Sequence, residues 1–167
     1  MMNVALPRHV SPLHIPMKTP TSLAAIAILV LTAHAALAKP GWVDDFDKGL
    51  AQAKTEKKIA LADFTGSDWC IWCQRLDKEI FSQKEFKDYA KANLVLVEVD
   101  FPQTKPLPKN KQEKHDALAK QYDIKGFPTV LVFDADGKKI GQLGYVEGGP
   151  SAFIAKLEEI TKKPGAK

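Results

Sequence analysis

The sequence predicts an α/β fold, and three observations lead to this prediction. Residues 59–64 form a short, almost continuous apolar run, which is typical of a strand buried on both faces. Residues 94–100 are rich in β-branched side chains and predict a second strand, and helical periodicity separates the two runs. The two strands should therefore pair in parallel through a right-handed crossover. A third run at 130–133 is followed by a turn and a returning strand at 138–145, which predicts a hairpin.

Apolar periodicity predicts five helices around these strands. One helix is expected to begin at Cys70 and to run through Ile80. Ser82 and Glu85 match a capping box, so another helix should begin directly after Ser82. The remaining segments with helical periodicity are residues 44–58, 111–122 and 150–162. Residues 101–110 contain three prolines and are expected to form a loop.

Residues 1–38 have the pattern of a signal peptide rather than of a folded domain. An unbroken apolar segment, LAAIAILVL, leads to the small-residue cleavage site Ala36-Leu37-Ala38. We expect cleavage after Ala38, which leaves residues 39–167 as one secreted domain. An uncleaved membrane anchor is the alternative, but the apolar segment is short for a membrane span. Met17 followed by a lysine is an alternative translation start.

The composition argues for a globular domain and against a nucleic-acid partner. The chain has 167 residues, of which 45% are hydrophobic and 26% are charged, as is ordinary for a protein with a true core. The formal net charge is +4, but the lysines are scattered among acidic residues and form no basic block. We therefore expect no nucleic-acid binding.

The two cysteines of the chain, Cys70 and Cys73, lie two residues apart between a predicted strand and a predicted helix. A cysteine at a helix start lies beside unpaired backbone N–H groups, which favour the nucleophilic thiolate. Cys70 is expected to be the exposed, activated sulfur, and Cys73, one turn later, the partner that closes a disulfide. This arrangement favours reversible dithiol–disulfide exchange in an oxidising compartment.

Two other uses of the cysteine pair are disfavoured. A purely structural disulfide across so short a loop removes little chain entropy. A closed zinc site needs four ligands, and the chain has no further cysteine to supply them. We therefore predict a redox role and no metal site.

Two titratable residues have open interpretations. Asp63 interrupts the first apolar strand, either as an acid at a strand end or as a partly buried carboxyl below Cys73. Burial raises a carboxyl pKa, so a buried Asp63 could exchange protons with that thiol. His115 is interpreted as a surface histidine without a catalytic role.

Two motifs together resemble the thioredoxin superfamily over residues 42–162. Trp69-Cys-Ile-Trp-Cys73 follows one strand, and Gly126-Phe-Pro-Thr129 precedes another. The stretch from Asp63 to Cys70 is also similar to secreted bacterial proteins described as disulfide isomerase-like. The resemblance implies a thioredoxin fold, in which a central mixed β-sheet is flanked by helices on both faces, and a periplasmic location.

The resemblance also implies a role for each motif residue. Cys70 would form a mixed disulfide with the substrate, and Cys73 would resolve it. Asp63 would correspond to the family's buried acid. The implied substrate-binding residues are Trp69, which shields the site, the cis proline Pro128, and its neighbours Phe127 and Thr129, of which Phe127 offers backbone groups to an extended peptide.

Three departures from the family pattern bear on the direction of electron flow. Asp63 lies one residue further from the first cysteine than in typical thioredoxins, and Leu96 occupies the position of a usual lysine. The dipeptide Ile71-Trp72 between the cysteines contains no histidine, which would favour the Cys70 thiolate as in strong oxidants. We therefore favour a reductase or isomerase over a strong oxidase.

The implied partners are protein thiols and disulfides together with a membrane-bound electron donor, and no cofactor beyond the dithiol is expected. A monomer is expected, because the chain has no room for the dimerisation domain of such isomerases. Two alternatives stay open: a metal or haem-maturation module that uses the thiols, and a redox-inactive protein that keeps the fold to bind peptides.

Overall fold

The computed structural model describes residues 39–162, which form one five-stranded mixed sheet with five α-helices. The strand order is β1-β3-β2-β4-β5. The strand β2 pairs in parallel with β3 and antiparallel with β4, and β4 pairs antiparallel with β5. The strands are β1 (Trp42–Val43), β2 (Ile59–Thr65), β3 (Leu94–Asp100), β4 (Thr129–Phe133) and β5 (Lys139–Leu143). The parallel unit, the hairpin and the mixed sheet are confirmed.

The helices cover both faces of the sheet, as expected. One core contains Phe46, Ala53 and Val97, where α1 and α4 pack on the sheet. The other core contains Leu76, Phe86 and further buried side chains of α2, α3 and α5 on the opposite face. The helices are α1 (Phe46–Glu56), α2 (Ile71–Leu76), α3 (Lys84–Asn93), α4 (Lys109–Gln121) and α5 (Gly149–Thr161).

Three local features differ from the expectations. Trp42–Val43 forms a short parallel strand beside β3, where no strand was predicted. The helix that follows Cys70 ends at Leu76 and continues as a π-helical turn, Asp77–Phe81. The predicted capping box is wrong: Gln83 precedes α3, and the Ser82 hydroxyl donates to the Asp77 carboxylate at 3.1 Å instead. Because Ser82 follows the π-helical turn, its side chain bonds to Asp77 at the start of that turn and does not cap α3.

The predicted signal peptide, its cleavage after Ala38 and the start at Met17 lie outside the described residues. Within residues 39–162, no helix has the length and apolar character needed to cross a membrane.

Candidate active site

The cysteine motif lies where β2 ends and α2 begins. The chain leaves β2 at Thr65, and the amide of Cys70 donates to the carbonyl of Gly66 at 2.8 Å, which closes the turn. A Cβ atom at Gly66 would lie 2.5 Å from the ring of Trp69. Glycine is therefore required here, because only its bare backbone leaves space for the indole.

Cys70 and Cys73 form a disulfide at the first turn of α2. Cys70 has an extended backbone and caps the helix, and the amide of Cys73 donates to its Sγ at 3.2 Å. In the reduced protein, the same amide would stabilise a thiolate on Cys70.

The prediction that Cys70 is exposed is wrong. Cys70 is 7% exposed, little more than Cys73 at 4%. The residues around the disulfide are the ones that reach solvent: Trp69 is 43% exposed, Ile71 71% and Trp72 49%. Only a narrow part of the Cys70 sulfur can therefore be approached, through a rim of large apolar side chains.

One aromatic wall of the site consists of Trp69, Phe127 and Phe101. The ring centroids of Trp69 and Phe127 are 5.8 Å apart, and those of Phe127 and Phe101 are 5.1 Å apart. The indole Nε1 donates to the carbonyl of Phe101 at 2.8 Å. These contacts fix the plane of Trp69 and place it between the disulfide motif and the loop after β3.

The carboxylate of Asp68 attaches the same loop to the motif. It accepts hydrogen bonds from the amides of Gln103 at 2.9 Å and Thr104 at 2.6 Å. These two bonds lower the pKa of Asp68. The proline-containing segment after β3 is therefore held against the site over its first residues.

A second wall consists of Trp72, Tyr145, Arg75 and Glu79. The rings of Trp72 and Tyr145 are 5.5 Å apart, and the Arg75 guanidinium lies 5.3 Å from the first ring and 4.9 Å from the second. Glu79 accepts a hydrogen bond from the Tyr145 hydroxyl and pairs with Arg75 at 2.8 Å. The four side chains thus form a closed ring of contacts that orients Trp72.

The segment Gly126-Phe-Pro-Thr129 enters β4 beside the motif. The Phe127–Pro128 peptide bond is cis, and the Thr129 hydroxyl donates to the Gly126 carbonyl at 2.7 Å. Thr129 is the register partner of Phe64 near the end of β2. The proline and the cysteines therefore lie at the same end of the sheet, where β2 ends and β4 begins.

Asp63 is buried in β2, on the face of the sheet that α2 covers. The residue is 6% exposed, and its Oδ1 has no hydrogen-bond partner. Burial raises the pKa of Asp63 to about 7, with smaller opposing and reinforcing effects from the charges around it. Such a carboxyl is half protonated at neutral pH, so it can both donate and accept a proton.

A cavity of about 200 Å³ joins Asp63 to the disulfide. Its lining includes Cys73, Asp63 and Glu98, and its other members are Lys39, Thr65, Ser67, Gln74 and Asp77. Of the two positions left open for Asp63, the structure therefore shows the buried one, on a cavity shared with Cys73.

The expectation for His115 is wrong in its location. His115 is 5% exposed, its Nδ1 lies 2.7 Å from the carbonyl of Asp100, and its ring packs on Phe101 at 5.7 Å. Burial lowers the pKa of His115, which favours the neutral ring. The helical pattern of α4 placed it on a surface, but α4 turns this position toward the end of β3.

Similarities to known proteins agree with this geometry. Residues 46–161 match the family model of the thioredoxin-like domain. The chain belongs to this family. It is 36% identical over 119 residues to the disulfide bond reductase DsbH of Chlamydia pneumoniae, which covers 71% of this chain and 72% of the relative.

A solved structure of a DsbH oxidoreductase superposes with a TM-score of 0.67 and 33% identity, covering 76% of this chain and 92% of the other. The thiol:disulfide interchange protein DsbD of Pseudoalteromonas atlantica is 30% identical over 121 residues, or 71% of this chain. That match spans 19% of DsbD, so the chain corresponds to about a fifth of the larger protein. The thioredoxin fold is confirmed, and with its Cys70–Cys73 disulfide the chain is a thiol–disulfide oxidoreductase.

Several side chains of the site were not singled out from the sequence, and Glu98, Tyr145 and Lys39 are three of them. Glu98 lies on the same face of β3 as Leu94 and Leu96. An acidic residue on an otherwise apolar strand face could have indicated a functional residue from the sequence. Tyr145 and Lys39 reach the site from segments distant in the chain, and no local pattern marks either residue.

Proposed function

We propose that this protein reduces disulfides in other secreted proteins. The main evidence for this function is the Cys70–Cys73 disulfide, which lies at the start of a helix between two aromatic walls. The chain with this disulfide is 36% identical to a protein named as a disulfide bond reductase, which supports the direction of electron flow.

In the proposed reaction, the Cys70 thiolate attacks one sulfur of a substrate disulfide. A Cys70–substrate disulfide forms, the substrate S–S bond breaks, and the released substrate thiolate takes a proton from solvent. The amide of Cys73, 3.2 Å from the Cys70 sulfur, is placed to stabilise the attacking thiolate.

The second step releases the substrate. Asp63, as a carboxylate, accepts the proton of the Cys73 thiol across the shared cavity, and the Cys73 thiolate attacks the Cys70 sulfur. The Cys70–Cys73 bond forms, the mixed disulfide breaks, and the second substrate thiolate leaves and is protonated. The substrate gains two electrons and the protein loses two.

The substrate is proposed to bind as an extended peptide beside the cis proline. Phe127 and Pro128 would offer backbone groups, Thr129 would hold their loop through its bond to Gly126, and Trp69 would shield the mixed disulfide from water. The exposed indoles suit apolar residues that flank the substrate cysteine.

The reaction is proposed to take place in the periplasm. Cleavage after Ala38 would deliver the domain to the periplasm, where a membrane-embedded thiol carrier would re-reduce Cys70 and Cys73. The similarity to one fifth of DsbD, a thiol:disulfide interchange protein, supports such a thiol-exchange partner. The dithiol would act as a monomer and without a further cofactor.

A redox titration in glutathione buffers tests the direction of electron flow. Trp69 and Trp72 flank the disulfide, so their fluorescence should report its state. A reversible transition near that of thioredoxin, about −270 mV, is expected for a reductase. A transition near about −120 mV would instead indicate an oxidant that makes disulfides.

Cysteine variants test the assigned roles. Reduced Cys73→Ser should accumulate a mixed disulfide between Cys70 and a disulfide-containing protein substrate, because no second thiol is present to resolve it. Cys70→Ser should form no mixed disulfide and should lose activity. Unchanged activity of Cys70→Ser, or of the double serine variant, would support the peptide-binding alternative. Stoichiometric metal retained by the purified protein would support the metal-handling alternative.

A further inference from the structure

The cavity beneath the disulfide is lined by an excess of acidic groups. Asp63 comes from β2, Glu98 from β3 and Asp77 from the π-helical turn, and Cys73 lies on the same cavity. Lys39, three residues before the start of β1, is the cationic side chain of this lining. The proposed reaction uses Asp63 and Cys73 and gives no role to Glu98 or Lys39.

Glu98 is the direct neighbour of Asp63 across the sheet. The two residues are register partners in the parallel pair of β2 and β3, so their side chains project from the same face of strands about 4.8 Å apart. Burial raises the pKa of Glu98 as well. Two carboxyls in this position disfavour each other's ionisation, and Oδ1 of Asp63 has no hydrogen bond that would relieve the repulsion.

Lys39 lies at another side of the same cavity. Its ammonium contacts the carboxylate of Asp77 and lies 4.5 Å from the ring centroid of Trp42 and 5.3 Å from that of Phe81. Its carbonyl accepts a hydrogen bond from the Trp42 amide at 2.8 Å. The ammonium is therefore held by a carboxylate and two aromatic rings, and the Lys39 backbone is held by its hydrogen bond to Trp42.

We propose that Glu98 and Lys39 are positioning residues for Asp63 that act in opposite directions. Glu98 raises the pH at which the Asp63 carboxyl releases its proton, because a second negative charge beside it is unfavourable. Lys39 lowers that pH, because its ammonium stabilises the Asp63 carboxylate. The consequence for catalysis rests on the proposed proton transfer from Cys73 to Asp63, but the charge effect itself does not.

Other charged groups around Asp63 act in the same sense as Glu98 and more weakly. Asp77 contributes from the π-helical turn and Asp100 from the end of β3, where it already accepts hydrogen bonds from Ser67. Neither charge is removed by the variants below. The strand β4 places the apolar Val130 opposite Asp63. Burial is the largest cause of the raised pKa, so changing Glu98 or Lys39 should move the titration without abolishing it.

Carbon-13 NMR of the Asp63 side-chain carboxyl in the oxidised full chain measures this titration directly, with Asp63→Asn assigning the signal. We expect Glu98→Gln to lower the midpoint by about half a pH unit or more, and Lys39→Gln to raise it by a similar amount. Lys39→Arg keeps the charge and should keep the wild-type midpoint.

Matched controls come from the exposed pair Lys109 and Glu113 on α4, whose charged atoms are 3.8 Å apart. Lys109→Gln and Glu113→Gln make the same charge changes away from the cavity and should leave the midpoint unchanged. Movement of Glu98→Gln and Lys39→Gln in the same direction, or no movement of either, would overturn the inference. Lys39 lies before the first strand, so Lys39→Gln does not alter any strand of the sheet. This variant therefore tests the inference even if Glu98→Gln does not fold.

A stopped-flow reaction of the reduced protein with Ellman's reagent separates this inference from the proposed function. Each protein should release two thiolates, the first on attack by Cys70 and the second on attack by Cys73. One pH unit below the wild-type midpoint, Glu98→Gln should accelerate the second phase about threefold and Lys39→Gln should slow it about threefold. If Asp63→Asn leaves the second phase unchanged, the proton transfer proposed for Asp63 is wrong, whereas the NMR midpoints decide the role of Glu98 and Lys39.

Discussion

Asp63 illustrates how a single buried carboxyl links chemistry to stability. Its raised pKa means that the folded protein binds a proton which the unfolded chain, with an ordinary pKa of 3.8, has already released. Folding stability therefore decreases as the pH rises from about 4 to about 7, and the full cost of the buried charge is present above pH 7. The residue suited to proton transfer is thus one that lowers the free energy of unfolding at neutral pH.

Asp63→Asn is expected to remove this pH dependence. Between pH 5 and pH 8.5, the wild-type free energy of unfolding should fall by about 3 kcal/mol more than that of the variant, since the pKa lies about two units above the lower pH. Urea denaturation of both oxidised proteins at the two pH values measures this difference. Glu113→Gln, an exposed carboxyl exchange, should follow the wild type, and parallel curves for Asp63→Asn and wild type would contradict the prediction.

At the level of single residues, sequence reasoning found the groups that belong to a contiguous motif. Cys70 and Cys73 were recognised by their spacing, and the two positions considered for Asp63 included the buried one that the structure shows. Lys39 could not be found, because the chain before β1 carries no pattern that relates it to Asp63. Its position depends on the pairing of β1 with β3, which is a tertiary contact.

At the level of secondary structure, the length of a strand decided whether it could be predicted from the sequence. The runs of β2 and β3 are seven residues each and were recognised, whereas β1 has two residues and shows no periodicity. The π-helical turn after α2 has the composition of an ordinary helix. It is distinguished by backbone hydrogen bonds that span five residues, such as the bond from the Ser82 amide to the Asp77 carbonyl at 2.7 Å.

The packing of α1 on β3 can be tested at the contact between Gly49 and Val97. A Cβ atom at Gly49 would lie 2.3 Å from Cγ2 of Val97, so alanine can be accommodated only if the helix or the Val97 side chain moves. Gly49→Ala should lower the free energy of unfolding by about 1 to 3 kcal/mol, although alanine is the better helix former by up to about 1 kcal/mol. Urea denaturation measures the change.

Gly126→Ala is the matched control for this exchange, because a Cβ atom there has no neighbour within 4 Å. Its free energy of unfolding should stay close to that of the wild type. An equal effect of the two substitutions would show that the close approach of Gly49 to Val97 does not limit the packing.

At the level of the whole molecule, the parallel unit and the hairpin were predictable because each has its own sequence pattern. The mixed sheet with helices on both faces was expected from the resemblance of the two motifs to the thioredoxin superfamily. Within residues 39–162, the large hydrophobic side chains that remain exposed are Trp69, Ile71 and Trp72, all beside the disulfide. The outer strand β5 carries the exposed polar residues Lys139 and Gln142, which disfavour pairing with another sheet edge.

We therefore expect residues 39–167, the chain that remains after the proposed cleavage, to sediment as a monomer in both oxidising and reducing buffers. Disulfide reductase activity per mole of protein should then be independent of dilution. A dimer at micromolar concentration would contradict this expectation. Dissociation of that dimer by Trp72→Ser would show that the rim of the active site forms the interface.

The position of β1 in the sheet has a consequence for the order of folding. The chain is synthesised from its N-terminus, but Trp42 and Val43 pair with Leu96 and Val97 of β3, which are made much later. The residues of β1 therefore remain unpaired until β3 has formed beside β2. Because Lys39 is held by the backbone of Trp42, its ammonium reaches the acidic cavity only at that stage. A nascent chain that ends before β3 thus contains both cysteines without the charge environment of the finished site.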